Sequence, residues 1–262
     1  MKDQQVPEVQ LTEYELHYED ALATKRFGLI ALATDLTSEQ DFAHLIPHDQ
    51  VGIHTTRVAY DNPATPENLK NMAPRLANAA DLILPGESLD VICFSCTSAS
   101  VVIGDDLVSR AIHSVRPNVP VVTPSGAALL AFTALNVKKI SVLTPYLIKT
   151  SQPMADYFTR HGLEIQNFHC LGLSDDREMA RISKKDIVKA ALLCDSPEAN
   201  ALFISCTAVP AIAAIEEIER RIGKPVVTSN QASAWAMMRL TGINHKPDGY
   251  GRLFNLDISP LH

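Results

Sequence analysis

The chain has 262 residues, 46% hydrophobic and 20% charged, which is enough apolar content for one large core or two smaller ones and excludes a disordered chain. Its net charge of −7, with no Lys/Arg run longer than a pair, excludes the basic stripe that a nucleic-acid groove requires. Apolar runs such as Ala127–Phe132 are far too short to span a bilayer, and five cysteines in a chain this long do not read as a disulfide framework.

The N-terminal stretch MKDQQVPEVQLTEYELHYEDALATKRFG is acidic and polar, without an apolar segment of signal-peptide length. A soluble, cytoplasmic chain with reduced thiols is expected. Beyond that stretch, apolar β-rich runs predict strands at Phe27–Ala33, Val51–Ala59, Leu89–Ser95, Pro120–Thr123, Lys139–Thr144, Glu164–Cys170, Ala201–Ser205 and Pro225–Thr228. Between them the pattern predicts helices at Ser38–His44, Pro66–Leu84, Ala99–Val115, Ser125–Leu135, Thr150–His161, Lys184–Leu193, Pro210–Ile222 and Gln231–Leu240. Continuous apolar strands alternating with helices indicate an α/β class with parallel sheets covered on both faces.

Two internal repeats divide the chain. FSCTSAS at Phe94–Ser100 and FISCTAVP at Phe203–Pro210 place Cys96 and Cys206 in the same Ser-Cys-Thr context, 110 residues apart. VPVVTPSGAALLAF from Val119 matches KPVVTSNQASAWAM from Lys224, at an offset of 105 between Val121 and Val226. Two motifs recurring in one order at nearly one spacing imply duplication. The reading is two flavodoxin-like halves related by a pseudo-two-fold, residues 1–123 with 229–262 and residues 124–228, the last helix packing back on the first half. Ligands of open α/β sheets bind beyond the carboxyl ends of strands, where both Ser-Cys-Thr segments fall, so the cleft between the halves is the expected site.

A thiol at the end of a strand and the start of a helix lies beside unpaired backbone N–H groups and the positive end of the helix dipole, which favours its thiolate. Those N–H groups, with the hydroxyls of Thr97, Ser98 and Thr207, suit a substrate carboxylate. Thiols on opposite faces of a carbon can exchange its proton with inversion. On this reading Cys96 and Cys206 are the reactive pair, and Cys93, Cys170 and Cys194 are core filler, as compact buried thiols often are. Nine histidines show no metal-binding spacing, and no G-x-G-x-x-G or Walker pattern is present, so neither metal nor nucleotide cofactor is expected.

The paired Ser-Cys-Thr segments and the two-half layout resemble the aspartate/glutamate racemase superfamily, over nearly the whole chain beyond the acidic N-terminal stretch. LIALATDLTSEQDF at Leu29–Phe42 resembles the maleate isomerase and arylmalonate decarboxylase branch, and most of all the racemase-like proteins of ectoine-utilisation operons. The resemblance implies a cofactor-independent enzyme with Cys96 and Cys206 as its catalytic pair. Arylmalonate decarboxylases keep only the second cysteine, so the pair argues for isomerisation. Glutamate racemases carry a histidine where Ala208 follows Thr207, which argues against that activity. The resemblance places Asp35 where maleate isomerases bind a substrate carboxylate through asparagine; an aspartate there repels a carboxylate and accepts an amino or amide N–H. It also matches Tyr146 to a tyrosine that donates to the substrate. The asparagine that follows in the family is replaced by GLSDD at Gly172–Asp176, where Ser174 or Asp175 would take its place.

Local structure offers competing roles. Thr37 and Gln40 fit a capping box for the Ser38–His44 helix, Tyr146 fits a half-buried strand end, and Gly126 fits close packing at a helix start. The expected function is racemisation or isomerisation of a small carboxylate or amino-acid derivative by two opposed cysteines. The alternatives are cis–trans isomerisation of maleate through a covalent cysteine adduct and a non-catalytic binding protein on the same scaffold. Apart from a small carboxylate, the only partner considered is a second copy of the chain.

Overall fold

The computed structural model describes residues 7–18 and 25–258, of which 7–18 form an exposed segment without helix or strand. In chain order come β1 (Lys25–Leu32), α1 (Ser38–Leu45), β2 (Val51–Val58), α2 (Pro66–Lys70), α3 (Leu76–Asp81), β3 (Val91–Ser95), α4 (Thr97–Ile103), α5 (Asp105–His113), β4 (Val121–Val122) and α6 (Pro124–Ala134). There follow β5 (Lys139–Tyr146), α7 (Ile148–Arg160), β6 (Glu164–Leu173), α8 (Asp176–Met179), α9 (Lys184–Cys194), β7 (Ala201–Ile204), α10 (Ile215–Ile222), β8 (Val226–Thr228) and α11 (Ser229–Leu240). Each strand lies where an apolar run predicts one.

Two parallel four-stranded sheets result, ordered β2-β1-β3-β4 and β6-β5-β7-β8. The same order twice is the pseudo-two-fold that the repeats encode. The central strands β3 and β7 are buried along their whole length, as their unbroken apolar sequences require, whereas the edge strands β2 and β6 are half exposed. The duplicated VVT segments also repeat their local chemistry: Thr123 accepts a hydrogen bond from Gly126 N–H, and Thr228 accepts one from Gln231 N–H, each capping the helix that follows.

These two helices cross between the sheets. Phe132 of α6 packs edge-to-face on Phe158 and Phe203 of the second half, at 6.1 and 5.9 Å between ring centroids. In return α11 packs on α1 and β3 of the first. Trp235 of α11 is fully buried there, its indole N–H donating to Leu256 O.

Three helices differ from expectation. The predicted Pro66–Leu84 helix is broken into α2, a 3₁₀ turn at Ala73–Arg75 and α3, since Pro74 has no N–H to continue the ladder. The Ala99–Val115 segment begins at Thr97 and splits at Gly104, whose φ of +95° no helix accommodates. The Pro210–Ile222 segment starts with a 3₁₀ turn at Ile212–Ala214 before α10. The short helix α8 was not anticipated.

Candidate active site

Both Ser-Cys-Thr segments end at the same place. Cys96 follows β3 and forms the N-cap of α4, and Cys206 follows β7. Their side chains line one small cavity between the halves, together with Leu32, Asp35, Leu69, Ser98, Tyr146, Asp176, Thr207 and Ala208. Of the expected site residues, Cys96, Cys206, Asp35, Ser98, Tyr146, Thr207 and Ala208 meet there. Neither Ser174 nor Asp175 does, nor Thr97, whose hydroxyl turns away to donate to Ser229 Oγ at 2.8 Å.

The two halves are stapled together at this point. Ser229 Oγ, fully buried at the start of α11, also accepts the Cys206 N–H at 3.0 Å, so a single oxygen holds both cysteine loops. Thr207 Oγ1 donates to Ser95 O, and Thr37 Oγ1 donates to Ala208 O. Asn230 Nδ2 donates to both Thr207 O and Asp41 Oδ2. The threonine after each cysteine is therefore a cross-link. The capping box expected at Thr37 and Gln40 does not form, because the Asp35 carboxylate takes the N–H groups of Thr37 and Ser38 at 2.7 and 2.8 Å. Gly126 is where close packing demands it, since a Cβ would come within 3.0 Å of the Thr123 capping oxygen.

The repeat is not exact in backbone. Cys206 has φ +98°, a left-handed conformation that a side chain resists, and it precedes an irregular turn rather than a helix. Only Cys96 occupies the helix-start position expected of both. Ala99 N–H faces the Cys96 sulfur, and Ala208 N–H donates to Cys206 Sγ at 3.4 Å. Ser98 Oγ lies 3.7 Å from Cys96 Sγ, and Tyr146 lines the same cavity with Cys206. Tyr146 closes the end of β5 and is 2% exposed.

Electrostatics overturn one expectation. Burial, followed by the field of Asp176, raises the Cys96 thiol to about 12 and pushes the Cys206 thiol up as well. The backbone N–H groups oppose this without overcoming it, so burial favours the neutral thiol at both positions. Cys93 and Cys194 are buried as expected, but Cys170 lies part-exposed on edge strand β6. Burial also raises Asp35 despite its hydrogen bonds, brings Asp176 to about 6, and brings Asp41 to about 7.

Asp176 is the residue that sequence reasoning missed. Asp175 points outward, capping α8 and pairing with Arg177 at 2.6 Å, while Ser174 contributes its carbonyl to Ala64 N–H. The next aspartate faces the cavity and accepts from Thr34 Oγ1 at 2.9 Å. Tyr60, beyond β2, was also missed: its hydroxyl is buried with no hydrogen-bond partner among the described residues and lies in the field of Asp176, Cys96 and Cys206. The acidic pair Asp175-Asp176 at the end of a strand was the available signal, and its register was off by one residue.

Doubled parallel sheets holding two thiols in the cavity between them define an enzyme of the aspartate/glutamate racemase-like superfamily. Within it, residues 62–254 match the arylmalonate decarboxylase family, and the chain belongs to that family. It is 25% identical over 247 residues to a maleate isomerase of Nocardia farcinica, covering 90% of this chain and 98% of that one. It is 32% identical over 139 residues to the arylmalonate decarboxylase of Bordetella bronchiseptica, covering 52% of this chain and 58% of that one. Among solved structures, a cysteine-to-serine mutant of the Nocardia farcinica maleate cis-trans isomerase with a covalently bound succinylcysteine intermediate superposes with TM-score 0.80 at 23% identity, over 88% of this chain and 98% of that one. A liganded double mutant of arylmalonate decarboxylase, one substitution creating a cysteine and the other removing one, gives TM-score 0.80 at 27% identity over 88% and 99%. No helix among the described residues is long and apolar enough to cross a membrane.

Proposed function

We propose that the chain is a cofactor-independent racemase or isomerase of a small carboxylate or amino-acid derivative, with Cys96 and Cys206 as opposed proton carriers. The observation that carries this reading is that two thiols from opposite halves line one enclosed cavity. One sulfur, as thiolate, takes the proton from the substrate carbon, and the other, as thiol, delivers its own proton to the opposite face. The carbon is inverted, and the enzyme is left with the protonation states exchanged. Ser98, Tyr146 and the Thr207–Ala208 backbone line the cavity as donors for the substrate carboxylate, whose negative charge grows as the carbanion forms. The division into residues 1–123 with 229–262 and 124–228 is part of the proposal: each half brings one cysteine, and the exchanged helices α6 and α11 hold the halves in register.

A second reading is favoured by the relatives. One cysteine would add to the alkene of maleate, rotation about the resulting single bond would follow, and elimination would release fumarate. The maleate isomerases that the chain resembles support it. Incubation with candidate acids in D₂O, followed by NMR and chiral chromatography, separates the two. Deuterium at the α-carbon with loss of optical purity is expected from two-thiol proton transfer; fumarate from maleate without racemase activity would select the covalent route.

A further inference from the structure

Two carboxylates enter the candidate cavity from different halves. Asp35 follows β1, and Asp176 opens α8 after β6; both are about 95% buried, and each lies in the field of the other. Among the described residues no Lys, Arg or His lines the cavity. The nearby arginines are engaged elsewhere: Arg57 with Glu39 and the carbonyls of Leu32 and Asp35, and Arg177 with Asp175. Asp35 has its hydrogen bonds from Thr37 and Ser38, but among the described residues the Asp176 carboxylate receives only Thr34 Oγ1. The Tyr60 hydroxyl, buried without a hydrogen-bond partner among the described residues, lies in the field of the same carboxylate.

Buried charge is retained where a partner compensates it. Here the described residues lining the cavity supply two carboxylates and two thiols, while Arg57 and Arg177 act on those carboxylates only from outside its lining. A cationic ligand would bring compensating charge into the cavity itself. We infer that Asp35 and Asp176 form the receptor for a cationic group, so that the substrate of this site is a small carboxylate bearing a protonated amine. The inference rests on the cavity being the active site, as proposed above, and narrows its substrate class. The ammonium donates to the free Asp176 oxygen and to Asp35, while the carboxylate faces Ser98, Tyr146 and the Thr207–Ala208 backbone. A dianion such as maleate would meet both carboxylates and be rejected. The ammonium also offsets the field of Asp176 at both sulfurs, so the substrate itself favours the thiolate that its chemistry needs.

The test uses isosteres of different charge in isothermal titration calorimetry on the wild-type chain at pH 7.5: D- and L-2-aminobutyrate, 2-methylbutyrate and maleate. At least one aminobutyrate enantiomer should bind about tenfold or more tightly than 2-methylbutyrate, with maleate weakest. Asp176→Asn and Asp35→Asn, similar in size and able to keep the local hydrogen bonds, should each cut that advantage and improve maleate. Equal responses to the aminobutyrates and 2-methylbutyrate in the wild type, including none to either, overturn the inference, as does preference for maleate. A second arm needs no fit to an unknown substrate. Modification of Cys96 and Cys206 by cationic 2-aminoethyl methanethiosulfonate, normalised to its rate with free mercaptoethanol, should exceed that by the anionic 2-sulfonatoethyl reagent by about tenfold. A normalised ratio near one in the wild type overturns the inference. Because both arms read charge preference without turnover, failure of the deuterium experiment would remove the racemase reading and leave this result standing.

Discussion

At Cys206 the left-handed backbone, with φ +98°, costs on the order of 1–3 kcal/mol, and the Ser229 and Thr207 hydrogen bonds hold it in place. The strain aims this sulfur into the cavity opposite Cys96, and the two-thiol reading predicts separable roles for the pair. Cys96→Ser and Cys206→Ser should each lose racemisation by several orders of magnitude, since a serine hydroxyl is far too weak an acid to serve as a base. Each should still wash deuterium into one enantiomer, and the two mutants into opposite ones; full racemase activity in either single mutant would end the hypothesis. Asp176 acts on both thiols. Removing its charge in Asp176→Asn should shift the pH profile of Cys96 and Cys206 alkylation by iodoacetamide to lower pH, because both thiols are held up in part by that field. Peptide mapping should show part-exposed Cys170 labelled first in the wild type at neutral pH.

Among elements, α11 does most to assemble the site. Its sequence SNQASAWAMM reads from the repeat as one more capped helix, yet its first two residues tie the halves together. Ser229→Ala deletes the acceptor that Thr97 Oγ1 and Cys206 N–H share. It should cost about 1–3 kcal/mol of stability and lower turnover by roughly a hundredfold through misplacement of the thiols, with a smaller change in substrate KM. Urea unfolding and steady-state kinetics check the two parts separately. For α6 the decisive residue is Phe132, whose ring packs edge-to-face on both Phe158 and Phe203. Phe132→Ala should cost about 3–5 kcal/mol in the same unfolding assay, a loss by cavity formation that leaves the cysteine loops intact.

The whole molecule carries buried carboxylates that ionise reluctantly, and this sets its pH dependence. Asp176 at about 6 and Asp41 at about 7 both lie above the unfolded value near 3.8. Between those values the folded state holds protons that the unfolded state has lost, so stability falls as pH rises from about 4 to about 7. The ligand-free protein should melt higher at pH 5 than at pH 8, by a difference on the order of a few kcal/mol. In Asp176→Asn the slope should lessen; an unchanged slope would mean that Asp176 is not buried as a charge.

The sequence by itself determined the α/β class, all eight strands and the duplication, because burying a strand on both faces demands an unbroken apolar run and a repeated fold leaves repeated motifs. The same repeats brought Cys96 and Cys206 to equivalent strand ends with Ser98, Thr207 and Ala208 beside them, whereas Asp35 and Tyr146 were legible through the resemblance to the maleate isomerase branch. What only the tertiary structure decided depends on contacts between residues far apart in the chain. Thr97 and Thr37 present hydroxyls that sequence can assign equally to a ligand, a cap or a neighbour, and their partners Ser229 and Ala208 lie 132 and 171 residues away. Asp175 and Asp176 are chemically identical in sequence, and the turn into α8 alone decides which one faces the thiols. The ionisation of those thiols follows the same rule. A strand end beside backbone N–H groups favours thiolate, but burial and the Asp176 field, which exist only once the halves close on each other, outweigh it.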